Sequence, residues 1–488
     1  MVFFHCLGNI SCGMGASMDK QCIKTSLSAR HIMVVAAGIL LCLGPCALVY
    51  NTWSIFVVPV STALGASSSQ FTLYITLVYL IGGLASPVAG NLMERFDLRI
   101  VLSISVLFVV IGMGLCSFWN QIWQFYISGV LIGFGIVSLM FLAVPTLINR
   151  WFVERTGFFI GLCFSMSGVG GALWSMVGGI VFSIADWRSA YLLFALLVLV
   201  TGLIATVVLI RSYPSEVGLE PYGTLVDSKM NNDNLSESEF EQLEFTNPHS
   251  VDAGTSCDSD TNDAKADFDA KGKQWGVPAR VMFRSPVFYT LMITMGIFNA
   301  LTVVGNLFAT YIYYLGDSGS AGITPDSAIM LASAVAACIM VLSAVSKVLL
   351  GAVSDKSLVV ALCIPCICGS LSILCMWFGA PLSSVFVYAG GLLCGVLYAA
   401  VDALGASFTR QIAGPRDYTL IYSRVAVFVN LAGAVSATLF AAVAEISWEA
   451  EWIMALSLIA ITFVLGMVTI KKRKAFRANV RISNYFYE

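Results

Sequence analysis

Gly90-Asn91-Leu92-Met93-Glu94-Arg95-Phe96-Asp97-Leu98-Arg99 follows one long apolar run, and Gly351-Ala352-Val353-Ser354-Asp355-Lys356 follows another, 261 residues later. Both read as glycine, three residues, acid, base. Glycine permits close contact between helices, and an acid and a base at a helix end can bridge to a neighbouring bundle in one state and release it in another. Two copies at equivalent places divide the chain into parallel halves, an internal repeat.

The composition agrees. The chain has 488 residues, of which 58% are hydrophobic and only 11% charged, and its mean hydropathy is +0.86. A soluble chain carries about 25% charged residues. This excludes a soluble enzyme, a nucleic-acid binder and a disordered scaffold, and leaves a polytopic helical membrane protein. A span needs about 20 mainly apolar residues. Twelve such runs are expected, near 32–57, 70–92, 99–118, 121–147, 158–182, 189–210, 286–314, 328–351, 358–379, 384–409, 418–443 and 453–470. They form an N-terminal bundle (31–210) and a C-terminal bundle (286–470), so the fold class is all-α, two bundles of six.

Outside the spans lie an N-tail (1–30), a linker (211–285) and a basic C-tail (471–488). The N-tail lacks the apolar core of a signal peptide, and Met14 or Met18 is an alternative start. The linker holds 14 acids and 7 bases and the rest of the chain 14 acids and 19 bases, so the overall balance says little about partners. Residues 214–275 are expected to be largely disordered, a solvated link between bundles. With the N-terminus in the cytosol, 23 of the 26 bases fall on the cytosolic side and only Arg188 outside, so both termini are expected to be cytosolic. The 14 cysteines, Cys363, Cys366 and Cys368 included, read as small core residues rather than disulfides or metal ligands. His5, His31 and His249 make no metal site. No metal or cofactor is expected. No phosphate loop of the type GxxxxGK[ST] is present, so ATP does not drive the protein directly. Gly129 with Gly133, and Gly178 with Gly179, read as close helix packing.

The repeated loop resembles the signature of the major facilitator superfamily, G-x-x-x-D-[RK]-x-G-[RK]-[RK]. Gly90, Arg95 and Arg99 fit, Glu94 replaces Asp, and Asp97 and Leu98 depart from it; the second copy fits at Gly351, Asp355 and Lys356. The resemblance implies that these residues gate the two bundles. Further motifs are Asn149-Arg150-Trp151-Phe152 with Arg155 and Gly157, Ser167-Gly168-Val169-Gly170-Gly171, Asp186-Trp187-Arg188 with Tyr191, and Tyr213-Pro214 through Pro221-Tyr222-Gly223. Together they are similar to the branch holding the oxalate:formate antiporters and monocarboxylate transporters, in its bacterial style. That resemblance implies secondary transport of a small organic anion, by proton symport or anion exchange, in a plasma membrane or bacterial inner membrane. The partners it implies are the substrate anion, the bilayer and protons or a counter-anion, with no nucleic acid and a monomeric chain.

Ionisable groups inside spans are costly and mark function by default. Three are expected deep in the membrane, all in the second half: Lys347, Asp402 and Arg424. Each lies eight residues from a charge at the cytosolic end (Asp355, Arg410 and Arg416), which is about 12 Å at 1.5 Å per residue. The resemblance implies that helices 7, 8, 10 and 11 line a cavity. It also gives Lys347 the place of a carboxylate-binding cation, four residues before the signature glycine, and Arg424 that of a second cation. Asp402 would hold a cation in place or carry a proton. Candidate walls are Asn51, Trp53, Tyr74, Trp174, Asn299, Asn306 and Tyr398. Drug efflux and a sensor on a transporter scaffold are the alternatives. An enzyme is not expected, since no nucleophile–base pair stands out.

Overall fold

A computed structural model describes residues 22–227, 276–319 and 323–482. Among these residues twelve helices are long and apolar enough to cross a bilayer. In the first half they are α1 (Ala29–Phe56), α2 (Ser68–Arg95), α3 (Leu98–Cys116), α4 (Ile122–Trp151), α5 (Thr156–Ile184) and α6 (Trp187–Leu209). In the second half they are α7 (Pro286–Asp317), α8 (Pro325–Lys356), α9 (Leu358–Gly379), α10 (Ser384–Ala413), α11 (Tyr418–Ile446) and α12 (Trp448–Ile482). Every expected span is present. The largest shift is at α12, which starts five residues earlier than the apolar run and continues into the expected tail.

Short links are terminated by side chains that satisfy free helix-end N–H groups. Asp97, Asp186, Ser285, Ser357 and Ser383 each accept from the main chain at the start of a helix. Inside α1, Pro45 lacks the N–H that would continue the ladder, and residues Cys42–Cys46 form a widened π turn. The same helix tightens to a 3-10 turn at Trp53–Phe56. Irregular backbone at this depth is tolerated because it is packed inside the protein.

The linker is ordered further than its composition suggests. Residues 211–227 run back along the first bundle: Trp151 Nε1 donates to Arg211 O at 3.0 Å, and Phe152 forms a β-bridge with Tyr222. A two-stranded antiparallel ribbon, β1 (Cys22–Lys24) with β2 (Leu225–Asp227), closes the arrangement. Low apolar content predicted disorder from 214; main-chain pairing orders the first part instead. The rest of the expected disordered segment, 228–275, lies outside the described residues, as do residues 1–21 of the N-tail and the last six of the C-tail.

The two halves meet along two seams, α5 against α8 and α2 against α11. A Cβ on Gly161 would fall on the carbonyl oxygen of Lys347, and one on Gly351 would fall on that of Gly157. Glycine is required here because backbone touches backbone. Gly90 has the same role in the other seam, where an added Cβ would lie 2.5 Å from Ser423 Oγ. The loop-signature glycines therefore sit at contacts between the halves.

Candidate functional site

Lys347 on α8 and Asp402 on α10 form an ion pair of 2.8 Å, with side chains 4% and 8% exposed. The same ammonium donates to Ser167 Oγ at 3.0 Å and reaches Phe164 O at 3.5 Å, both on α5 of the opposite half. A buried charge needs all its donors engaged, and an ammonium has three. Lys347 has three partners: one carboxylate, one hydroxyl and one carbonyl. Two helices of the second half supply the charges and one helix of the first half completes the set. The bonds from Lys347 to Ser167 and Phe164 thus cross the seam.

Residues of four helices surround it. Cys46 of α1, Tyr79 of α2, Tyr398 of α10 and Tyr422 of α11 lie within electrostatic reach of Asp402. Tyr50 of α1 packs on Tyr79 with ring centroids 4.9 Å apart. The Tyr50 hydroxyl and the Asn430 side-chain oxygen are buried with no hydrogen-bond partner among the described residues.

The expected trio is therefore divided. Lys347 and Asp402 are paired, but Arg424 is turned away from them. Its Nη1 donates to Leu420 O at 2.9 Å, and the guanidinium lies 4.5 Å from the centre of the Phe283 ring, just before α7. Of the expected walls, Tyr398 lies by the pair. Asn51 is one bond away: its Nδ2 donates to Ser167 O at 2.6 Å. Trp174 donates to Leu43 O at 2.6 Å and Asn299 to Val429 O at 2.7 Å, contacts that tie helices together. Tyr74 is buried in a ring cluster with Phe71 and Phe125. Trp53 is partly buried against the core, and Asn306 is exposed on α7. The structure adds Ser167, Tyr79, Tyr50, Tyr422 and Cys46. Ser167 opens one of the quoted motifs but carried no sign of a role at the site; the hydroxyls and thiol of the others are ordinary in apolar runs.

The loop signatures behave differently from each other. In the first copy, Glu94 pairs with Arg150 of its own half at 3.3 Å, and Arg99 with Asp97 at 3.1 Å. Burial would raise the Asp97 pKa, but hydrogen bonds from the Arg99 main chain, the Ser212 hydroxyl and the Arg99 side chain outweigh it and hold the carboxyl below its usual range. In the second copy Asp355 crosses the seam. Its two oxygens accept from the main-chain N–H groups of Gly157 at 2.8 Å and Phe158 at 3.0 Å, capping α5 from the other half. Arg410 crosses in the same sense, donating to Asn149 Oδ1 at 2.6 Å and Phe152 O at 3.0 Å. Arg95 and Lys356 are exposed. Ser86 donates across the other seam to Ser423 O at 2.5 Å. These ties lie between the depth of Lys347 and the loop-signature end, so the bundles are closed at that end.

A further buried charge emerges in the first turn of α12. Glu451 is 0% exposed, and neither of its oxygens has a hydrogen-bond partner among the described residues. It precedes the apolar run 453–470, so the pattern of that run gives no sign of its burial.

The family model described as Major Facilitator Superfamily matches residues 39–386. The chain belongs to this superfamily. It is accordingly a multi-pass membrane transporter and not an enzyme. Among its relatives, the Probable transporter MCH2 of Saccharomyces cerevisiae is 28% identical over 117 residues, 24% of each chain. The Uncharacterized transporter ESBP6 of the same yeast is 28% identical over 113 residues, 23% of this chain and 17% of its own. The Uncharacterized MFS-type transporter YhjX of Escherichia coli is 30% identical over 120 residues, 24% of this chain and 30% of its own. The chain thus spans less than a third of the length of the curated relatives it matches. Two solved structures share the fold at 14% identity. The human organic anion transporter MFSD10 gives a TM-score of 0.57 over 90% of this chain and 99% of its own, and the proton:xylose symporter XylE gives 0.61 over 90% and 95%.

Proposed function

We propose that this transporter moves a small organic anion, most simply a mono- or dicarboxylate, across a plasma membrane by alternating access, with Lys347 as its anion-binding cation. The observation that carries the reading is the Lys347–Asp402 pair, buried at the seam and completed by Ser167 of the other half. Motif similarity to the carboxylate-transporting branch supports it. An anion can engage Lys347 only where Asp402 yields it. Protonation of Asp402 removes the competing charge, so proton and anion enter as a neutral set and the ammonium keeps one anionic partner. Engagement of Lys347 also alters its bonds to Ser167 and Phe164, which links occupancy to the contact between halves. In the exchange mode one anion replaces another, and Asp402 holds the ammonium between them. Arg424, facing Phe283 in this closed arrangement, would rejoin the site only when the halves part.

The test is a ligand-stabilisation screen in detergent over mono- and dicarboxylates, sugars and amines, repeated on Lys347→Ala. Carboxylates should raise the unfolding temperature of the wild type and lose that effect in the variant. Stabilisation by neutral or cationic compounds alone would overturn the substrate class. Undiminished carboxylate stabilisation of Lys347→Ala would overturn the site.

A further inference from the structure

A second charged place lies apart from the Lys347–Asp402 pair. At the loop-signature end, a cavity of about 470 Å³ lies between the halves. Glu154, Arg155 and Thr156 line it from the first half, and Asp355, Arg410 and Arg473 from the second. Asp355 is eight residues along α8 from Lys347, about 12 Å, so this cavity is distinct from the proposed transport site.

Three guanidiniums face two carboxylates there. Asp355 spends both oxygens on the start of α5. Arg410 donates to an amide and two carbonyl oxygens, and Arg473 donates to Gln411 Oε1 at 3.1 Å. Every acceptor given to these two is neutral. Among the described residues none of the three arginines forms an ion pair with a carboxylate. Arg155 is held in the left-handed region, with φ 55° and ψ 30°. That conformation is unfavourable for a residue with a side chain, and such residues cluster where ligands are clamped. Among the described residues the lining is net cationic, three arginines against Glu154 and Asp355, with Asp355 within electrostatic reach of Arg155 and Arg410 and planar, multi-donor forks on both sides of a seam. Forks of this kind match the oxygens of a phosphate group better than point charges do.

We propose that this cavity binds a phosphate-bearing anion, either free in solution or as the headgroup of an anionic lipid. A ligand held by Arg155 of one half and by Arg410 and Arg473 of the other adds its binding free energy to the closed arrangement, which it contacts and an opened one would not offer. The site is regulatory, because it acts on the seam and not on the transported anion.

The experiment is thermal unfolding of the full chain, without any transport substrate. In detergent, sodium phosphate is titrated against sodium chloride at equal ionic strength. In nanodiscs, neutral lipid is compared with the same lipid containing phosphatidic acid. Wild type, Arg473→Gln and Arg155→Gln are run side by side. The expected result is saturable stabilisation of the wild type, with apparent affinity at least tenfold weaker in both variants, while the unliganded unfolding temperatures stay close. A response to phosphate in detergent identifies the free anion as ligand; a response confined to phosphatidic acid identifies the headgroup. The proposal is overturned if neither source stabilises beyond chloride, or if both variants respond as the wild type does. Neither outcome bears on Lys347, so this test and that of the transport site succeed or fail separately.

Discussion

Removing the Lys347–Asp402 pair one member at a time, and then both, tests whether it is a coupled buried unit. Lys347→Met leaves Asp402 with no partner among the described residues. Asp402→Leu leaves the ammonium with only a hydroxyl and a carbonyl at 3.0 and 3.5 Å. Breaking a buried pair from one side costs about 3–5 kcal/mol, and Lys347→Met should lie toward the upper end because nothing else compensates the carboxylate. The double variant replaces both charges by apolar groups of similar volume and should unfold within about 1 kcal/mol of the wild type, or be more stable. The coupling energy is then at least about 5 kcal/mol, above the usual range for residues in contact. Equilibrium unfolding in mixed micelles with rising SDS gives all four stabilities. Additive losses, with the double variant as poor as the two singles summed, would refute the reasoning, because independent defects do not rescue each other.

Further outcomes follow from the same geometry. Asp402→Asn keeps the shape but removes the competing charge; one charge-assisted hydrogen bond is worth about 1.5–3 kcal/mol, so anion affinity measured by calorimetry should rise about 10–100-fold while proton-driven uptake is lost, and an unchanged Kd would break the link between the two residues. Gly161→Val places a side chain on the Lys347 carbonyl; the closed end should splay, seen as faster alkylation of a cysteine introduced near Asp355, whereas Gly179→Val, with open space around the added Cβ, should be silent. Glu451→Gln replaces a buried carboxylate without a partner among the described residues by a neutral group and should raise stability by about 1–3 kcal/mol; a loss of stability would show that the carboxylate has a charged partner.

Much of the fold was legible because a bilayer imposes its own length on apolar runs. Lys347 and Asp402 were legible for a related reason: charges in such runs are scarce, and a fixed rise per residue gives their depth. The same arithmetic gave Arg424 an equal depth, yet depth belongs to the Cα and not to the end of a long side chain, and this guanidinium turns to Phe283. Glu451 escaped because the stretch Ser447–Glu451 reads as a polar link; its burial depends on neighbouring helices, which local pattern does not report. The role of Ser167 escaped, although its motif stood out, because a hydroxyl in an apolar run shows no partner until a cation from another helix is placed against it. The order of residues 214–227 was hidden for a third reason. It rests on main-chain pairing with residues 22–25 and 151–153, and backbone hydrogen bonds leave no periodic trace in side chains.

The seam at the loop-signature end is asymmetric in what holds it. On the second half the gripping groups are side chains, Asp355 and Arg410. On the first half they are mainly peptide groups: the N–H of Gly157 and Phe158, and the carbonyls of Phe152 and Val153. No point substitution deletes a peptide carbonyl, so sequence drift in residues 152–158 leaves these acceptors in place. Apart from Asn149, whose side-chain oxygen accepts from Arg410, the strength of the latch is set by side chains of the second half. Because each grip joins a charge to a dipole rather than to another charge, added salt should weaken it less than it would a surface ion pair.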